Sequence, residues 1–218
     1  MRYEVFAEEL GARLDTKSSP GLDVDMFDAH CDHLLVRDLS TLKVVGTYRV
    51  LPPHRARALG CLYSESEFDL VRLNHLKPKM LELGRSCVHP DFRSGSVIMV
   101  LWAGLGEYMK RHGYESMLGC ASVSMADGGH TAASLYRRLQ ETALAPIEYH
   151  AFPRLPLPVD ELDGSLQVEP PALIKGYLRL GAKICGAPAW DPDFNTADFL
   201  TLLRVADMNQ RYARHFMG

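Results

Sequence analysis

Between Met80 and Ser96 the chain reads MLELGRSCVHPDFRSGS, and this stretch limits the fold more than any other. Leu81, Leu83 and Val88 are strand formers, and Pro90 ends the strand because it has no N–H to give to a ladder. Asp91 and residues 94–96 are turn and N-cap types, and residues 97–109 then carry apolar side chains at helical spacing. The stretch predicts a strand, a turn and a helix starting at about Ser96. A strand that opens onto a helix N-terminus aims several backbone N–H groups at one point, which favours a phosphate or another anion. Two opposite charges, Glu82 and Arg85, stand inside this apolar strand, where charge is costly unless paired or used.

With 218 residues, 47% of them apolar, the chain can bury the core of one domain. A net charge of −3 gives no general case for nucleic-acid binding. No apolar run approaches the roughly 20 residues that span a bilayer. Residues 2–17 are too polar for a signal peptide. The five cysteines (31, 61, 87, 120, 185) form no CxxC pair and sit among apolar neighbours, so they read as reduced and mostly buried, with no metal site. A cytoplasmic protein is expected.

Periodicity predicts a helix over 2–14 and a turn-rich loop to Gly21, followed by an acidic run of Asp23, Asp25, Asp28 and Asp32. Strands at 33–38 and 43–51 read as an antiparallel hairpin closed by Pro52-Pro53, and residues 54–70 as irregular. After the central strand and the helix to His112 come a strand at 114–123 broken by Gly119 and a helix at 131–144. A right-handed crossover makes these two strands parallel neighbours. Further elements are a strand at 148–152, a helix at 172–182, an extended segment at 184–190, a last strand at 199–205 and a terminal helix at 208–216. The expected class is α/β, a mixed and mostly antiparallel sheet of about six or seven strands flanked by helices.

This order of elements resembles the GNAT acyltransferase superfamily. The blocks Arg2 to Gly11 (RYEVFAEELG), Asp25-Met26-Phe27-Asp28, Val45-Gly46-Thr47-Tyr48-Arg49 and Glu82-Leu83-Gly84-Arg85 are similar to those shared by acyl-homoserine-lactone synthases and ornithine-lipid N-acyltransferases. Leu81 to Pro90, Lys175 to Ala182, Phe194-Asn195-Thr196 and Arg211 to Phe216 resemble the ornithine-lipid branch, the L-ornithine N-alpha-acyltransferases. That resemblance covers nearly the whole chain. It implies transfer of a long, 3-hydroxylated acyl group from the phosphopantetheine of acyl carrier protein to an amino-acid α-amine, ornithine first. It further implies no bound cofactor and transient contact of a lipid-making enzyme with the inner membrane surface. Two departures stand out. Family members carry a strand and half a helix before the Arg2 block, inside which this sequence starts. Arg93-Ser94-Gly95-Ser96 also keeps only part of the general Arg/Gln-x-x-Gly-x-Gly/Ala phosphate loop, which suits one phosphopantetheine phosphate better than a coenzyme A pyrophosphate.

Amide formation from a thioester needs a neutral amine, hydrogen-bond donors for the carbonyl oxygen and a departing thiolate. Glu82 is the candidate base, the competing role being an ion pair with Arg85. The resemblance implies a bulge near 86–88, which makes the Val88 N–H or a neighbour the oxyanion donor and Tyr136 the acid for the thiolate. Arg2, Asp25, Asp28, Arg49 and Arg85 are the candidate substrate-binding and loop-ordering residues; Arg forks suit carboxylates and phosphates. Arg93, Ser94, Gly95 and Ser96 are the phosphopantetheine cradle, or else an ordinary helix cap. Trp102, Met99 and Met109 either line an acyl tunnel or serve as core. Cys87 reads as a buried strand cysteine, not a nucleophile. Arg55, Arg57, Lys77, Lys79, Lys110 and Arg111 would steer an acidic carrier protein if they form one patch. The alternatives are a homoserine-lactone synthase, an N-acylating enzyme for another amino acid, an acetyl-coenzyme A enzyme, and a non-catalytic acyl-carrier or lipid-binding module.

Overall fold

Alternating apolar residues make the first hairpin, and the remaining strands build outward from it. In chain order the strands are β1 (Asp32–Arg37), β2 (Val44–Leu51), β3 (Phe68–Asp69), β4 (Met80–Val88), β5 (Ser116–Ser124), β6 (Phe152–Pro153), β7 (Lys183–Ile184), β8 (Ala189–Asp191) and β9 (Thr196–Arg204). The helices are α1 (Pro53–Leu59), α2 (Ser96–His112), α3 (His130–Thr142) and α4 (Ala172–Leu180). The computed structural model describes residues 1–14 and 19–209. Seven strands form one sheet in the order β1-β2-β4-β5-β9-β7, with β8 also on β9, while β3 and β6 pair apart. Among the described residues the β4–β5 strands, joined through α2, are the one parallel strand pair of this sheet, and its other strand pairs are antiparallel.

Strand alternation then decides what each face receives. On one face Tyr48, Val50 and Leu81 meet Val97, Leu101, Leu105 and Met109 of α2. Further along, Ala121, Val123 and Phe199 meet α3 through Leu135 and Leu139. The opposite face carries Leu51, Met80, Leu118, Leu200 and Leu202, covered by Leu62, Phe68, Leu70 and Leu73. Helix α4 packs close to α2: a Cβ on Gly176 would lie 1.9 Å from the Trp102 ring. Only glycine admits that approach. Among the described residues no helix is long and apolar enough to cross a membrane.

Several expectations change. Residues 53–59 are helical, because Pro53 occupies the first turn, where its missing N–H costs nothing. The expected strand at 148–152 is a 3-10 turn, Ile147–Tyr149, leading to the two-residue β6. Gly119 does not break β5, which is held by continuous pairing with β9 from Ser116↔Arg204 to Ser124↔Thr196. The first helix is a short π-type turn, Glu4–Glu9. Within the apolar stretch 97–109, Val100 is exposed on the outer side of α2 while Met109 is fully buried. Of the terminal helix expected at 208–216, residues 210–216 lie outside the described residues, as does the block Arg211 to Phe216.

Gly176→Ala is expected to destabilise the fold by about 1–3 kcal/mol through overpacking, a fall of roughly 2–10 °C in Tm for a chain of this size. Thermal unfolding followed by near-UV circular dichroism, sensitive to Trp102, measures it.

Candidate active site

Strands β4 and β5 pair over only three positions, Met80↔Ser116, Leu81↔Met117 and Glu82↔Leu118, and then part. On its other side β4 carries a bulge: Thr47 pairs with Cys87 and Arg49 with Gly84, so Arg85 and Ser86 stand opposite Tyr48 alone. Arg85 takes φ +49, a left-handed conformation unusual for a bulky residue. Such a bulge leaves a residue out of the ladder and bends its strand. Where the strands separate, the backbone of Gly119 lies so close to the Leu83 carbonyl that a Cβ there would be 2.6 Å from its oxygen.

The separation is filled by a cavity of about 270 Å³ that opens to both faces of the sheet. On the α2–α4 face its wall is apolar, formed by Leu105, Met109, Tyr177, Leu180 and Leu203 with Trp102. On the other face the wall is Phe6, Tyr63, Arg85, Asp191, Phe194 and Asp198, with Cys120 between. Of the three residues expected in an acyl tunnel, Trp102 and Met109 line the cavity, while Met99 lies on the outer side of α2.

Arg2, Asp25, Asp28, Arg49 and Arg85 come together in one ionic network, joined by Asp23. Arg2 bridges Asp23 (2.8 Å) and Asp28 (2.5 Å), Arg49 bridges Asp25 (2.6 Å) and Asp28 (3.3 Å), and Arg85 bridges Asp23 (3.1 Å) and Asp25 (3.2 Å). Burial alone would raise the Asp28 carboxyl, but hydrogen bonds from Arg2 and the Asp25 N–H hold it down at about 2. Three cations and three anions thus satisfy one another and fasten segment 23–28 to the sheet. Arg85 also packs on Phe194 (4.7 Å to the ring centre) and Tyr63 (5.2 Å), which forms one side of the cavity.

Glu82 stands elsewhere. Only 4% exposed, it accepts hydrogen bonds from Tyr63 N (2.6 Å), Ser64 N (2.7 Å) and Ser64 Oγ (2.7 Å) and does not line the main cavity. Its ion pair with Arg85 is not made either; Arg85 turns to Asp23 and Asp25. Burial pushes the Glu82 carboxyl up, against the hydrogen bonds from Ser64 and Tyr63. Two other carboxylates line the cavity. Asp198, 4% exposed, and Asp191 lie on the cavity wall. Asp198 accepts from Thr196 Oγ1 at 3.0 Å, and Asp191 holds the turn 191–194 by accepting from Asp193 N and Phe194 N. Behind Asp198 is Glu67, whose buried carboxyl oxygens have no hydrogen-bond partner of good geometry. Burial, then the nearby Asp198 charge, raises Glu67 to about 9, and burial also raises Asp198. At neutral pH the pair holds a proton, since like charges this close do not both ionise in a dry site. Asp198 was missed in the sequence, where the last strand is expected to start at 199; the strand begins at Thr196 and sets Asp198 between Ala197 and Phe199.

The other expected residues fall outside the cavity. Its backbone wall at the bulge runs from Leu83 to Ser86 and does not include Val88; the bulged residues are Arg85 and Ser86, at the leading edge of the span that the resemblance implies. Tyr136 is buried on α3 against Phe199, accepts from Gln140 Nε2 (2.9 Å) and does not reach the gap. Arg93 is held by Glu9 (2.5 and 2.7 Å) and donates to the Val88 carbonyl (3.1 Å), so it is a braced cation beside the start of α2. Ser94, Gly95 and Ser96 lead into that helix, whose first intrahelical bond is Met99 N to Gly95 O; the N–H groups of residues 96–98 are the orphan donors of its first turn. Of the six basic residues, Lys77 and Lys79 immediately precede β4, Lys110 and Arg111 lie in the last turn of α2, and Arg55 and Arg57 are on α1. Arg55, Lys77, Lys79 and Arg111 are paired with Asp32, Glu65, Glu115 and Glu107. Cys87 is buried, and burial lifts its thiol to about 11, in keeping with a packing role.

A mixed sheet whose one parallel pair parts around a bulge, with an apolar channel on one side and charged groups on the other, defines a GNAT-fold acyltransferase. The family model for the acetyltransferase (GNAT) domain matches residues 1–103. Over its whole length the chain is 37% identical to the L-ornithine N(alpha)-acyltransferase of Agrobacterium fabrum, covering 80% of that protein. It is also 37% identical over 99% of its length to that of Brucella abortus, covering 82%. The chain belongs to the L-ornithine N(alpha)-acyltransferase family. Among solved structures, the coenzyme A-dependent acyl-homoserine lactone synthase MesI shares the fold, with a TM-score of 0.53 at 16% identity over 99% of this chain and 83% of its own.

The ionic network makes a testable demand. Asp23→Ala leaves Arg2 and Arg85 each short of a carboxylate and is expected to cost about 3 kcal/mol, read by urea unfolding. The low Asp28 value gives the sign in acid. It lies below the roughly 3.9 of an unfolded aspartate, so its contribution is complete above pH ~4 and is lost as the pH falls towards 2. The stability difference between the wild type and Asp28→Asn, read from urea midpoints, is expected to stay constant from pH 6 to about 4 and to shrink as the pH falls below it.

Proposed function

We propose that this chain moves a long acyl group from the phosphopantetheine thioester of acyl carrier protein to the α-amine of ornithine, giving a lyso-ornithine lipid. One observation carries the reading: a single cavity passes through the gap between β4 and β5, apolar where an acyl chain would lie and acidic where an amino acid with two ammonium groups would lie. The names of the relatives supply the acceptor.

In this reading the thioester carbonyl rests on the bulge, and backbone N–H groups of Arg85 and Ser86 face the oxygen as charge builds on it. The α-ammonium gives one proton to Asp198 and the neutral amine attacks, forming the C–N bond. As the C–S bond breaks, the nitrogen gives up its second proton to water at the open mouth. The leaving thiolate takes a proton from the same water, and Asp198 later returns its own to solvent. Asp191 faces the second ammonium of the acceptor. Glu82 is a positioning residue, since its three hydrogen bonds fix Tyr63 on the wall. The orphan N–H groups of α2, the hydroxyls of Ser94 and Ser96, close approach at Gly95 and the braced Arg93 cradle the single phosphate. Outside the ionic network Leu22, Val24 and Met26 are exposed while Asp23 between them is buried, which gives this edge an apolar strip suited to brief contact with a membrane.

The purified protein, 3-hydroxypalmitoyl acyl carrier protein and ornithine are expected to give N-acylornithine, read by mass spectrometry. Asp198→Asn lowers kcat/KM for ornithine on the order of a hundredfold, the usual effect of losing a general base. No amide with ornithine, or a lactone from S-adenosylmethionine, overturns the reading. Glu82→Gln is expected to lower Tm as well as kcat, because its amide group confronts N–H donors with another donor; a loss of kcat with unchanged Tm would return the base role to Glu82.

A further inference from the structure

Among the described residues, Glu67 is the carboxyl whose two oxygens are both buried and without a hydrogen-bond acceptor contact of their own. It does not line the cavity. One of its oxygens, an Asp198 oxygen and the Cys120 sulfur lie within 4.8 Å of one another. The backbone holds Glu67 in this place. The residue follows the turn Tyr63–Ser66, which Glu82 fixes with three hydrogen bonds. Its N–H donates to the Ser64 carbonyl (3.2 Å), and its carbonyl accepts from Arg154 N (2.7 Å). The side chain is thereby directed at β5 and β9, where Cys120 and Asp198 stand.

Donor counting gives the chemistry. Two ionised carboxylates only accept, so neither satisfies the other. One proton on Glu67 makes it a donor, and Asp198 becomes the ionised acceptor; a carboxylic acid kept neutral by its surroundings can serve in this way. The neighbours of each group agree with that assignment. Asp198 accepts from Thr196 Oγ1 (3.0 Å) and faces the Ser122 hydroxyl, and both donors favour its charged form. Glu67 meets Asp191 of β8, the Cys120 thiol of β5 and the Tyr63 phenol of its own turn. Burial keeps that thiol and that phenol neutral. Burial and the charges of Asp198 and Asp191 keep the proton on Glu67.

Resting on the reading of Asp198 as the group that takes the ammonium proton, we propose that Glu67 is its positioning residue: a neutral carboxylic acid that donates a hydrogen bond to the Asp198 carboxylate, holds it at the cavity wall and keeps it ionised. The Glu67 proton is not consumed. The ammonium proton goes to Asp198 and leaves from there to solvent. Glu82 then serves the same carboxylate at one remove, by fixing the turn that carries Glu67.

The test measures kcat/KM for ornithine from about pH 5 to 10 in the wild type, Glu67→Gln and Glu67→Leu. Glutamine keeps a donor that never titrates, and a fall of only about threefold at pH 7 is expected. Leucine has no donor. Its acid limb is expected to move up by about one to two pH units, the worth of a hydrogen bond to a charged group, so that kcat/KM on that limb falls about ten- to a hundredfold. Above about pH 9 the wild type loses the Glu67 proton and the two carboxylates repel. The ratio of Glu67→Gln to wild type, in which the titration of ornithine cancels, is expected to rise there. A flat ratio overturns the proposal, and it decides even if the leucine variant fails to fold. A glutamine variant as impaired as a folded leucine variant also overturns it. So does loss of activity on chelation that zinc restores, which would assign the three side chains to a metal.

A second arm needs no turnover. The infrared difference between wild type and Glu67→Gln is expected to contain a carboxylic acid band at pH 7 that disappears by pH 10. Its absence at pH 7 overturns the proposal. Absence of amide with every donor and acceptor would fail the acyltransfer reading, and the infrared arm would still decide whether Glu67 carries the proton.

Discussion

Three residue pairs join β4 to β5, and then the ladder stops. A parallel pair that parts exposes backbone groups on both strands, which is unfavourable unless something else uses them. The gap is where the apolar face under α2 and α4 becomes continuous with the charged face under the N-terminal segment. Each half of the site depends on this interruption. With a complete ladder the chain would hold an apolar pocket and a polar surface separated by a sheet, and no acyl carbon could meet an amine.

Keeping the gap open is an electrostatic matter. Arg85 sits at the bulge in a left-handed conformation and is fastened by Asp23 and Asp25, which are bound in turn by Arg2 and Arg49. A buried network of this kind adds less stability than its Coulomb energy suggests, because each ion is desolvated, but removal of one member leaves charges unpaired. Its work is specification: it dictates one placement of the 23–28 segment. Glu82 does the same on the neighbouring turn with three hydrogen bonds to residues 63 and 64. The two devices position Tyr63 between them. A charge that seemed catalytic in the sequence thus organises the wall against which the chemistry is proposed, while Asp198 and Asp191 face the cavity.

Much of the fold was legible. The strand–turn–helix at 80–112, the first hairpin, the parallel β4–β5 pair and the two helices after it follow from alternation, helical periodicity and proline or glycine punctuation. Short-range physics governs these. The errors fall where local signals compete. Pro52-Pro53 ends a strand and also starts a helix, and only the second proline's place in α1 distinguishes the two. The site was legible as a set of charged residues. That Val88 and Tyr136 lie away from the cavity was not legible, because the exact residues of a bulge and the burial of a helix against Phe199 are matters of register and packing.

The sequence by itself determined the element order, the burial of charge at Glu82, Arg49 and Arg85, and membership of an acyltransferase family, because these rest on residue type and spacing along the chain. Tertiary structure decided which carboxylate is spent on the backbone and which faces the cavity, and it set the Tyr48 hydroxyl and the Trp102 N–H facing one another at the head of an apolar channel. Those outcomes depend on residues far apart in the chain meeting in space, Ser64 with Glu82 and Tyr48 with Trp102 among them. The free energy of a buried polar group is set by what surrounds it, not by its neighbours in the chain.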